Sequence, residues 1–248
     1  MNRALFLKLL LLSGSALLLS SCGDSPKKSP SATSFTNASL KGNFVFSVSG
    51  TDQIDGDFSA AGSFQADGAG KITSGIEDVN FASGVDPGVA VSGAYRIDSD
   101  GHGTITLSDA SDPIDFLEIQ LASDGSAKIL NFDSTGAGGA LEKQVSSPFS
   151  QAGSYSFTLS GEEDDTISAS GSFSTDANGN INGGNESFNE GSSSSNIALG
   201  GMMSPAFDNG RGQLLLGGNK FSYYVVSPNR IILAGLEDSI LLHGEAKK

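Results

Sequence analysis

Residues 62–80 read GSFQADGAGKITSGIEDVN, and residues 171–189 read GSFSTDANGNINGGNESFN. Nine positions match in register at a constant spacing of 109 residues, and they are Gly, Ser, Phe, Asp, Gly, Ile, Gly, Glu and Asn. A match of this length at a fixed spacing indicates that the chain contains two copies of one structural unit.

Each copy of the stretch has the residue pattern of a β-hairpin. An apolar run ends at Phe64 or Phe173, a turn rich in Asp, Asn and Gly follows, and a second run starts at Ile72 or Ile181. Gly, Asn and Asp adopt the positive φ angles of tight turns more readily than other residues do. The stretch therefore predicts one antiparallel hairpin in each copy.

The rest of the chain predicts an all-β fold, because no long window has the 3.6-residue apolar period of a helix and the 33 Gly residues are spread through it. We predict two tandem antiparallel meander units of about eight strands each, at 41–145 and 150–247. The preferred architecture is a pair of small up-and-down barrels, with sandwiches, or one sheet shared by both copies, as alternatives. The predicted strands are 42–49, 57–66, 71–81, 89–97, 102–108, 115–121, 126–132 and 137–143, then 153–160, 166–175, 180–190, 197–206, 211–216, 220–226, 230–235 and 238–245.

The apolar positions change parity at the same place in both copies. Ile72 and Ile76 are even whereas Val79 is odd, and Ile181 is odd whereas Phe188 is even. Because successive side chains of a strand point to opposite faces, such a change indicates one extra residue, a β-bulge. We place it at 77–78 in the first copy and at 186–187 in the second.

Four repeated polar residues beside these predicted bulges are candidate site residues: Glu77 and Asn80, with Glu186 and Asn189. Bulges often re-aim side chains near functional sites, and paired carboxylates can hydrolyse glycosides. The favoured interpretation is structural, with each Glu and each Asn accepting hydrogen bonds from backbone amides that the bulge frees. A glycosidase is disfavoured because the chain has no Trp to stack against a sugar.

The start of the chain predicts a lipid-anchored protein. Residues 1–21 combine two basic residues with a short apolar core, as a secretory signal does. Leu19–Cys22 resembles the lipobox of bacterial lipoproteins, so Cys22 is the expected lipidation site. Residues 22–40 contain Pro, Ser and Lys and predict a flexible tether. No other stretch approaches the ~20 apolar residues of a membrane-spanning helix.

Composition argues against several functions. The net charge of −14 disfavours nucleic acid and anionic lipid as electrostatic partners. A single Cys can form neither an internal disulfide nor a Cys-based metal site. His102 and His243 are not repeated between copies, which disfavours a Ser-His-Asp hydrolase. The turn at Asp176 resembles the start of an EF-hand loop, but Ile181 stands where Gly is required, so a hairpin tip is favoured over calcium. We expect no metal and no cofactor.

Tyr223 is the remaining candidate for ligand contact. It belongs to the densest aromatic cluster, Phe221 with Tyr223 and Tyr224. The corresponding residues of the first copy, Phe116 and Ile119, suggest that one face of this strand packs in the core. Tyr223 is therefore expected to be exposed on the other face.

The lipobox, the Ser/Pro-rich tether and the repeated turn and strand signatures together resemble duplicated, Gly-rich all-β lipoproteins of diderm bacteria. The resemblance implies an outer-membrane lipoprotein facing the periplasm or the exterior and adds no active site. The leading interpretation is a cell-envelope protein with a non-enzymatic binding or structural role, whose protein, polysaccharide or small-ligand partner is left open. The alternatives are a carrier of small hydrophobic ligands with a barrel pocket and an envelope hydrolase that uses carboxylates.

Overall fold

A computed structural model of the chain describes residues 34–248 apart from 53–55, 109–114, 133–135, 146–147, 163–164 and 239. The predicted signal peptide, Cys22 and most of the predicted tether lie outside the described residues. Both copies of the repeat belong to one compact unit, which spans Thr33–Lys248.

The first copy forms a closed antiparallel barrel of eight strands, in which each strand pairs with the next and the last pairs with the first. The strands are β1 Lys41–Asp52, β2 Gly56–Asp67, β3 Lys71–Phe81, β4 Gly84–Ile97, β5 His102–Ser108, β6 Asp115–Leu121, β7 Ala127–Phe132 and β8 Gly138–Lys143. Alternate residues point inwards and form one apolar core, which includes Phe44, Phe46, Phe64 and Ile105. This barrel is called barrel 1.

The second copy closes in the same way, because β10 pairs with both β9 and β11. Its strands are β9 Gly153–Glu162, β10 Thr166–Thr175, β11 Asn180–Glu190, β12 Ser193–Ala198, β13 Gly201–Met203, β14 Arg211–Leu216, β15 Asn219–Ser227, β16 Arg230–Gly235 and β17 His243–Lys247. Eight of them form the ring, and among the described strands β12 pairs with β11 alone. This barrel is called barrel 2, and the predicted fold class of two tandem barrels is confirmed.

Two predicted strands of barrel 2 differ from the observed ones. The strand expected at 197–206 is divided into β12 and β13, because the chain leaves the ladder at Leu199 and Gly200. The strand expected at 238–245 begins only at His243. Leu241 and Leu242 are apolar and buried, as strand residues often are, but the Leu242 N–H donates to the Ile240 carbonyl in a tight turn.

The two repeated hairpins are confirmed, and their turns use the repeated Asp. One carboxylate oxygen of Asp67 accepts the backbone N–H groups of Ala69, Gly70 and Lys71 at 2.6, 3.1 and 3.0 Å. Asp176 accepts the N–H groups of residues 178 and 180, each at 2.9 Å. The backbone hydrogen bonds, from Lys71 first, lower the pKa of Asp67. The pKa of Asp176 is lowered first by the side-chain amide of Asn180 and then by its backbone N–H. The Asp residues therefore close the turns, as the hairpin-tip interpretation requires.

The described part of the predicted tether, residues 34–40, belongs to the folded body. Phe35 packs against the core of barrel 1, Asn37–Ser39 form a short 3-10 helix, and Leu40 is buried. The Tyr95 hydroxyl donates to the Leu40 carbonyl at 2.8 Å. The expectation of a flexible chain up to residue 40 is therefore wrong for these seven positions, because their apolar side chains cover one end of the barrel.

The change of face within each hairpin is real, but the bulge that causes it lies four residues earlier than predicted. In barrel 1, Gln65 pairs with Ser74 while Ala66 pairs with Ile72, so Thr73 is the extra residue. In barrel 2 the corresponding irregularity falls at residues 182–183.

The strand pairing differs between the two positions at which bulges are predicted. Residues 186 and 187 pair regularly with both neighbouring strands, so the bulge predicted there is wrong. Beside Asp78 a second irregularity does occur, but the extra residue is on β4, where Pro87 and Gly88 face Asp78. Gly88 has a φ of 70°, a conformation that favours glycine.

Candidate functional site

The two barrels pack side by side through outer strand faces that would otherwise meet solvent. Val45, Ala61 and Ile76 of barrel 1 contact a cluster on barrel 2 that consists of Tyr224, Val226, Ile232 and Ala234. The barrel 1 residues lie on β1–β3, whereas those of barrel 2 lie on β15 and β16. The contact therefore joins different faces of the two copies.

A buried ion pair lies within this contact. Arg211 donates to both carboxylate oxygens of Asp78, at 2.9 Å from Nε and 2.6 Å from Nη2. The Tyr224 hydroxyl also donates to Asp78, and the Gly88 N–H donates at 2.7 Å. Arg211 donates in addition to the Ser222 hydroxyl at 2.8 Å. Asp78 is only 1% exposed, and its acceptor positions are all used within the protein.

The buried cluster has the electrostatics of a structural contact. Hydrogen bonding to Asp78 raises the pKa of Arg211. Burial, followed by the charge of Asp78, raises the pKa of Tyr224 well above its usual value. Arg211 therefore stays charged and Tyr224 stays protonated, and both hold the Asp78 carboxylate in place. A buried ion pair is tolerated best when its polar atoms have further hydrogen bonds, as the Asp78 oxygens have from Gly88 and Tyr224.

Sequence reasoning missed this cluster, although a signal was present. Asp78 corresponds to Ser187 in the other copy, and Arg211 corresponds to His102. Two opposite charges therefore occur at positions where the copies differ. A contact between two unlike faces of a repeat needs such unrepeated residues.

Asn80, a predicted site residue, also lies in the contact between barrels. Its side-chain amide donates to the carbonyls of Gly235, Glu237 and Ile240, each at 3.2 Å. These carbonyls belong to the end of β16 and the following loop. The structural interpretation expected Asn80 to accept from backbone amides beside it, whereas its amide donates to backbone carbonyls of barrel 2. Its repeat partner Asn189 is exposed on the outer face of β11.

Glu77 and Glu186 are both buried inside barrels, at equivalent positions. Glu77 pairs with Gly62, which in turn pairs with Phe46. Glu186 has the same neighbours in barrel 2, Gly171 and Phe157. The two carboxyls lie in separate barrels, so they cannot act as a pair on one substrate.

Burial raises the pKa of the Glu186 carboxyl, and no hydrogen bond or charge among the described residues opposes this shift. The folded protein therefore holds the proton more tightly than the unfolded chain does. The tighter proton binding of the folded state contributes stability that is fully present below the ordinary Glu pKa of ~4.3. That stability is lost as the pH rises through the higher pKa of Glu186 in the folded protein.

Replacing Glu186 with glutamine should therefore stabilise the protein at about pH 7 and have a smaller effect at about pH 4. The amide keeps the shape of the carboxyl and carries no charge to desolvate. Urea unfolding of the wild type and the variant at both pH values measures the difference. An equal gain at the two pH values would show that the effect does not come from ionisation.

Tyr223 lies inside barrel 2 and is 0% exposed, so the expectation of an exposed contact is wrong. Its hydroxyl donates to the Ser204 carbonyl at 2.7 Å, and its ring lies against Phe149. The outward residue of the aromatic pair is Tyr224, which the other barrel covers. Both faces of β15 are therefore buried, which alternation within one strand could not reveal.

An open groove follows the junction at the end of the barrels where β1 begins and β17 ends. We call it the tether-end groove. Its main part has a volume of about 800 Å³, and an adjoining part of about 290 Å³ shares the residues Asn43, Gln65, Gln144 and Asp208. Both barrels and the segment between them contribute to its lining.

The rim of the tether-end groove carries an exposed aromatic residue on a fixed turn. Phe207 is 64% exposed. Its N–H donates to the Arg211 carbonyl and its carbonyl accepts from Gly210, both at 2.8 Å. The Ser63 hydroxyl of barrel 1 donates to the Asn209 carbonyl of the same turn at 2.8 Å. The backbone of the turn is therefore held to both barrels while the ring stays in solvent.

A smaller cleft of about 320 Å³ lies at the opposite end of the junction, and we call it the distal cleft. Ser160 Oγ and His243 Nε2 are 3.3 Å apart on its barrel 2 side. Burial lowers the pKa of His243. The pair lacks the carboxylate that would orient the imidazole of a hydrolase, because no described acid is bonded to the other ring nitrogen.

Two carboxyls meet across the mouth of the distal cleft. The Thr51 hydroxyl donates to Asp57 at 2.6 Å. This hydrogen bond is the largest cause that lowers the pKa of Asp57, and a hydrogen bond with Glu162 is the second. Hydrogen bonding with Asp57 raises the pKa of Glu162. Both groups are largely solvated, so the pair is a surface contact between barrels. Among the described residues, no group of three or more His, Cys, Asp or Glu is placed to hold a metal ion.

Comparisons with known proteins add little to this geometry. No protein-family model matches the chain, and no curated protein matches it. Among solved structures, the chain is similar to kievitone hydratase from Nectria haematococca at 6% identity, over 88% of this chain and 93% of that chain. The TM-score of 0.26 is too low to support any conclusion. Within the described part of the chain, no helix has the length and apolar character needed to span a bilayer.

Proposed function

We propose that the protein is a lipid-anchored envelope protein with a non-enzymatic binding role, and that the tether-end groove is its binding surface. The observation that carries this proposal is the groove itself, which is built by both barrels and bordered by an exposed aromatic side chain. Sites of this kind most often lie between structural units, in volumes of about 300–1,000 Å³.

The proposed anchor places the groove near the bilayer. The described chain begins at the same end of barrel 1 as the groove, about twelve residues after Cys22. A fully extended segment of that length reaches roughly 40 Å. Residue 34, at the end of barrel 1 that carries the groove, would then lie within that distance of the membrane surface.

The distribution of charge agrees with this orientation. Exposed lysines cluster toward the tether end, including Lys41, Lys71 and Lys143. Toward the distal end, Lys220 is the one exposed base among the described residues, and it pairs with Glu237 at 3.8 Å. Bilayer surfaces are commonly anionic, so a body with its acidic end turned away is favoured.

The other functions have less support from the geometry. The interior of each barrel holds a continuous set of large apolar side chains, which favours the outer groove over an interior pocket as a ligand site. A hydrolase that combined Glu77 with Glu186 would need two carboxyls in one cleft, and they lie in different barrels.

The anchor is tested by replacing Cys22 with serine in the full-length chain. We expect the variant to lose incorporation of a labelled fatty acid, because serine has no thiol to accept the diacylglyceryl group. Metabolic labelling followed by gel analysis measures this directly, and the fraction that resists high-salt and carbonate washing of membranes should fall with it. Labelling that persists in the serine variant would contradict the proposal.

The binding surface is tested by site-specific crosslinking in the same cells. A photoreactive phenylalanine analogue at Phe207 should crosslink to an envelope component, whereas the same analogue at Leu130 should not. Leu130 is similarly exposed, at 51%, on the outside of barrel 1. Equal crosslinking at the two positions would show that the groove has no special role.

A further inference from the structure

We propose that the tether-end groove binds a neutral oligosaccharide chain. This inference rests on the proposed binding function and adds the chemical class of the ligand. It follows from the kinds of polar groups in the groove, their balance of charge, the exposed ring at the rim and the open shape.

The polar lining consists mainly of side-chain amides, contributed by Asn43, Gln65, Gln144 and Gln151. Each amide has donors and an acceptor. Gln144 uses its NH₂ group on the Val225 carbonyl at 2.7 Å, which leaves its oxygen as an acceptor. Gln65 accepts from the Thr73 hydroxyl at 3.0 Å, which leaves its NH₂ group as a donor. Neighbouring sugar hydroxyls also donate and accept, so a planar amide can bond two of them at once.

The charges in the groove are balanced. Lys143 and Asp208 are the charged residues of its lining among the described residues, with opposite signs. A site for a phosphate-rich polymer or an acidic polysaccharide needs several cations, and a site for a basic peptide needs several anions. The lining therefore favours a ligand without net charge.

Phe207 supplies an apolar surface beside these polar groups. The carbon face of a pyranose ring is apolar, while its hydroxyls point outwards around the ring edge. A sugar that lies against Phe207 would cover an aromatic side chain that is otherwise in water and would point its hydroxyls at the amides. Because the turn is held to both barrels, the backbone that carries the ring is already in position before a ligand arrives.

The shape favours a chain over a single sugar. The two adjoining parts of the groove run from the outer faces of β1 and β2, past Gln144, to the turn that carries Phe207. Both parts are open to solvent. A linear ligand can enter from the side and continue beyond the groove, as a section of a polysaccharide must.

The test measures binding of defined oligosaccharides to the purified full-length lipoprotein in a detergent without a sugar headgroup. The probes are hexamers of N-acetylglucosamine, of β-linked glucose and of α-linked glucose, with an acidic hexuronate oligomer for comparison. Calorimetry or ligand-observed NMR should detect binding of at least one neutral hexamer and weaker binding of the acidic one. Replacing Phe207 with alanine should weaken that binding about tenfold, and replacing Gln65 with alanine should weaken it about fivefold.

Matched variants control for general effects of substitution. Leu130→Ala removes a similarly exposed apolar side chain from barrel 1, and Gln120→Ala removes an exposed amide that bonds the Asp100 carbonyl. Both should bind as the wild type does. The inference is overturned if none of the neutral hexamers binds at millimolar concentration, or if Phe207→Ala and Leu130→Ala behave alike. It is also overturned if a library of peptides binds the groove instead.

Failure here can be separated from failure of the proposed function. Suppose that no oligosaccharide binds, while fatty-acid labelling at Cys22 and selective crosslinking at Phe207 are observed. The protein would then be an envelope binding protein whose ligand belongs to another class. Loss of the crosslink as well would remove the groove from both proposals.

Discussion

Replacing Asp78 with alanine should lower the free energy of unfolding by about 3–5 kcal/mol. The substitution leaves the Arg211 guanidinium buried without its counter-charge and removes the acceptor of the Tyr224 hydroxyl. An uncompensated buried charge is among the most destabilising changes known for single substitutions. Urea unfolding followed by circular dichroism measures the change.

The control for this variant is Asp98→Ala. Asp98 also pairs with an arginine, Arg96, at 2.7 Å, but the two side chains are 48% and 77% exposed. An exposed pair contributes at most about 1 kcal/mol. If both substitutions cost the same small amount, the Asp78 pair is not buried between the barrels.

Replacing Gly62 with valine should destabilise the protein by about 1–3 kcal/mol. A Cβ atom at this position would lie 2.4 Å from Cε1 of the Phe46 ring and 2.8 Å from the Ile76 carbonyl oxygen. Phe46 is completely buried, so its ring can move only by disturbing the core. The midpoint of urea unfolding should fall accordingly.

The repeat supplies a second test and the strand β8 supplies a control. Gly171→Val should have a comparable effect in barrel 2, where a Cβ would lie 2.9 Å from the Phe157 ring and 2.1 Å from the Asn185 carbonyl oxygen. At Gly138, no described atom lies within 4 Å of the added Cβ, and valine should be tolerated there. A large loss at Gly138, or none at Gly62, would contradict the described packing.

Most of the fold could be predicted from the sequence, because turns and alternation are local signals. The repeated Asp and Gly residues mark the hairpin tips, and strand alternation gives the paired segments on either side. Closure into barrels follows from sequential neighbours with short turns. The strand expected at 238–245 was misplaced because buried loop residues such as Leu241 carry the same apolar signal as a strand.

Features that depend on contacts between the copies could not be predicted in the same way. The two outer faces that meet carry small and apolar residues, such as Val45 and Ala234, that also suit an interior position. Tyr223 and Tyr224 are both buried, so alternation gave no basis for choosing between them. The parity change places the bulge after Ile76, because Ile76 is apolar like Ile72, but Ile76 packs on the outer face against barrel 2.

The groove has the same origin as these unpredicted contacts. The residues of its main part come from β1, β2, the end of β8, the segment between barrels, the turn before β14 and β15. No short stretch of sequence contains them, and neither copy forms the groove alone. The unrepeated charges Asp78 and Arg211 are the sequence feature from which the orientation of the two copies could have been inferred.

The most direct test of the joined barrels is a double-mutant cycle with Asp78→Ala, Arg211→Ala and the double variant, measured by urea unfolding. Because the two side chains bond each other across the junction, we expect the double variant to lose about 2–3 kcal/mol less than the sum of the single losses. Losses that add to within about 0.5 kcal/mol would show that Asp78 and Arg211 do not interact, and that the barrels are not held together in this way.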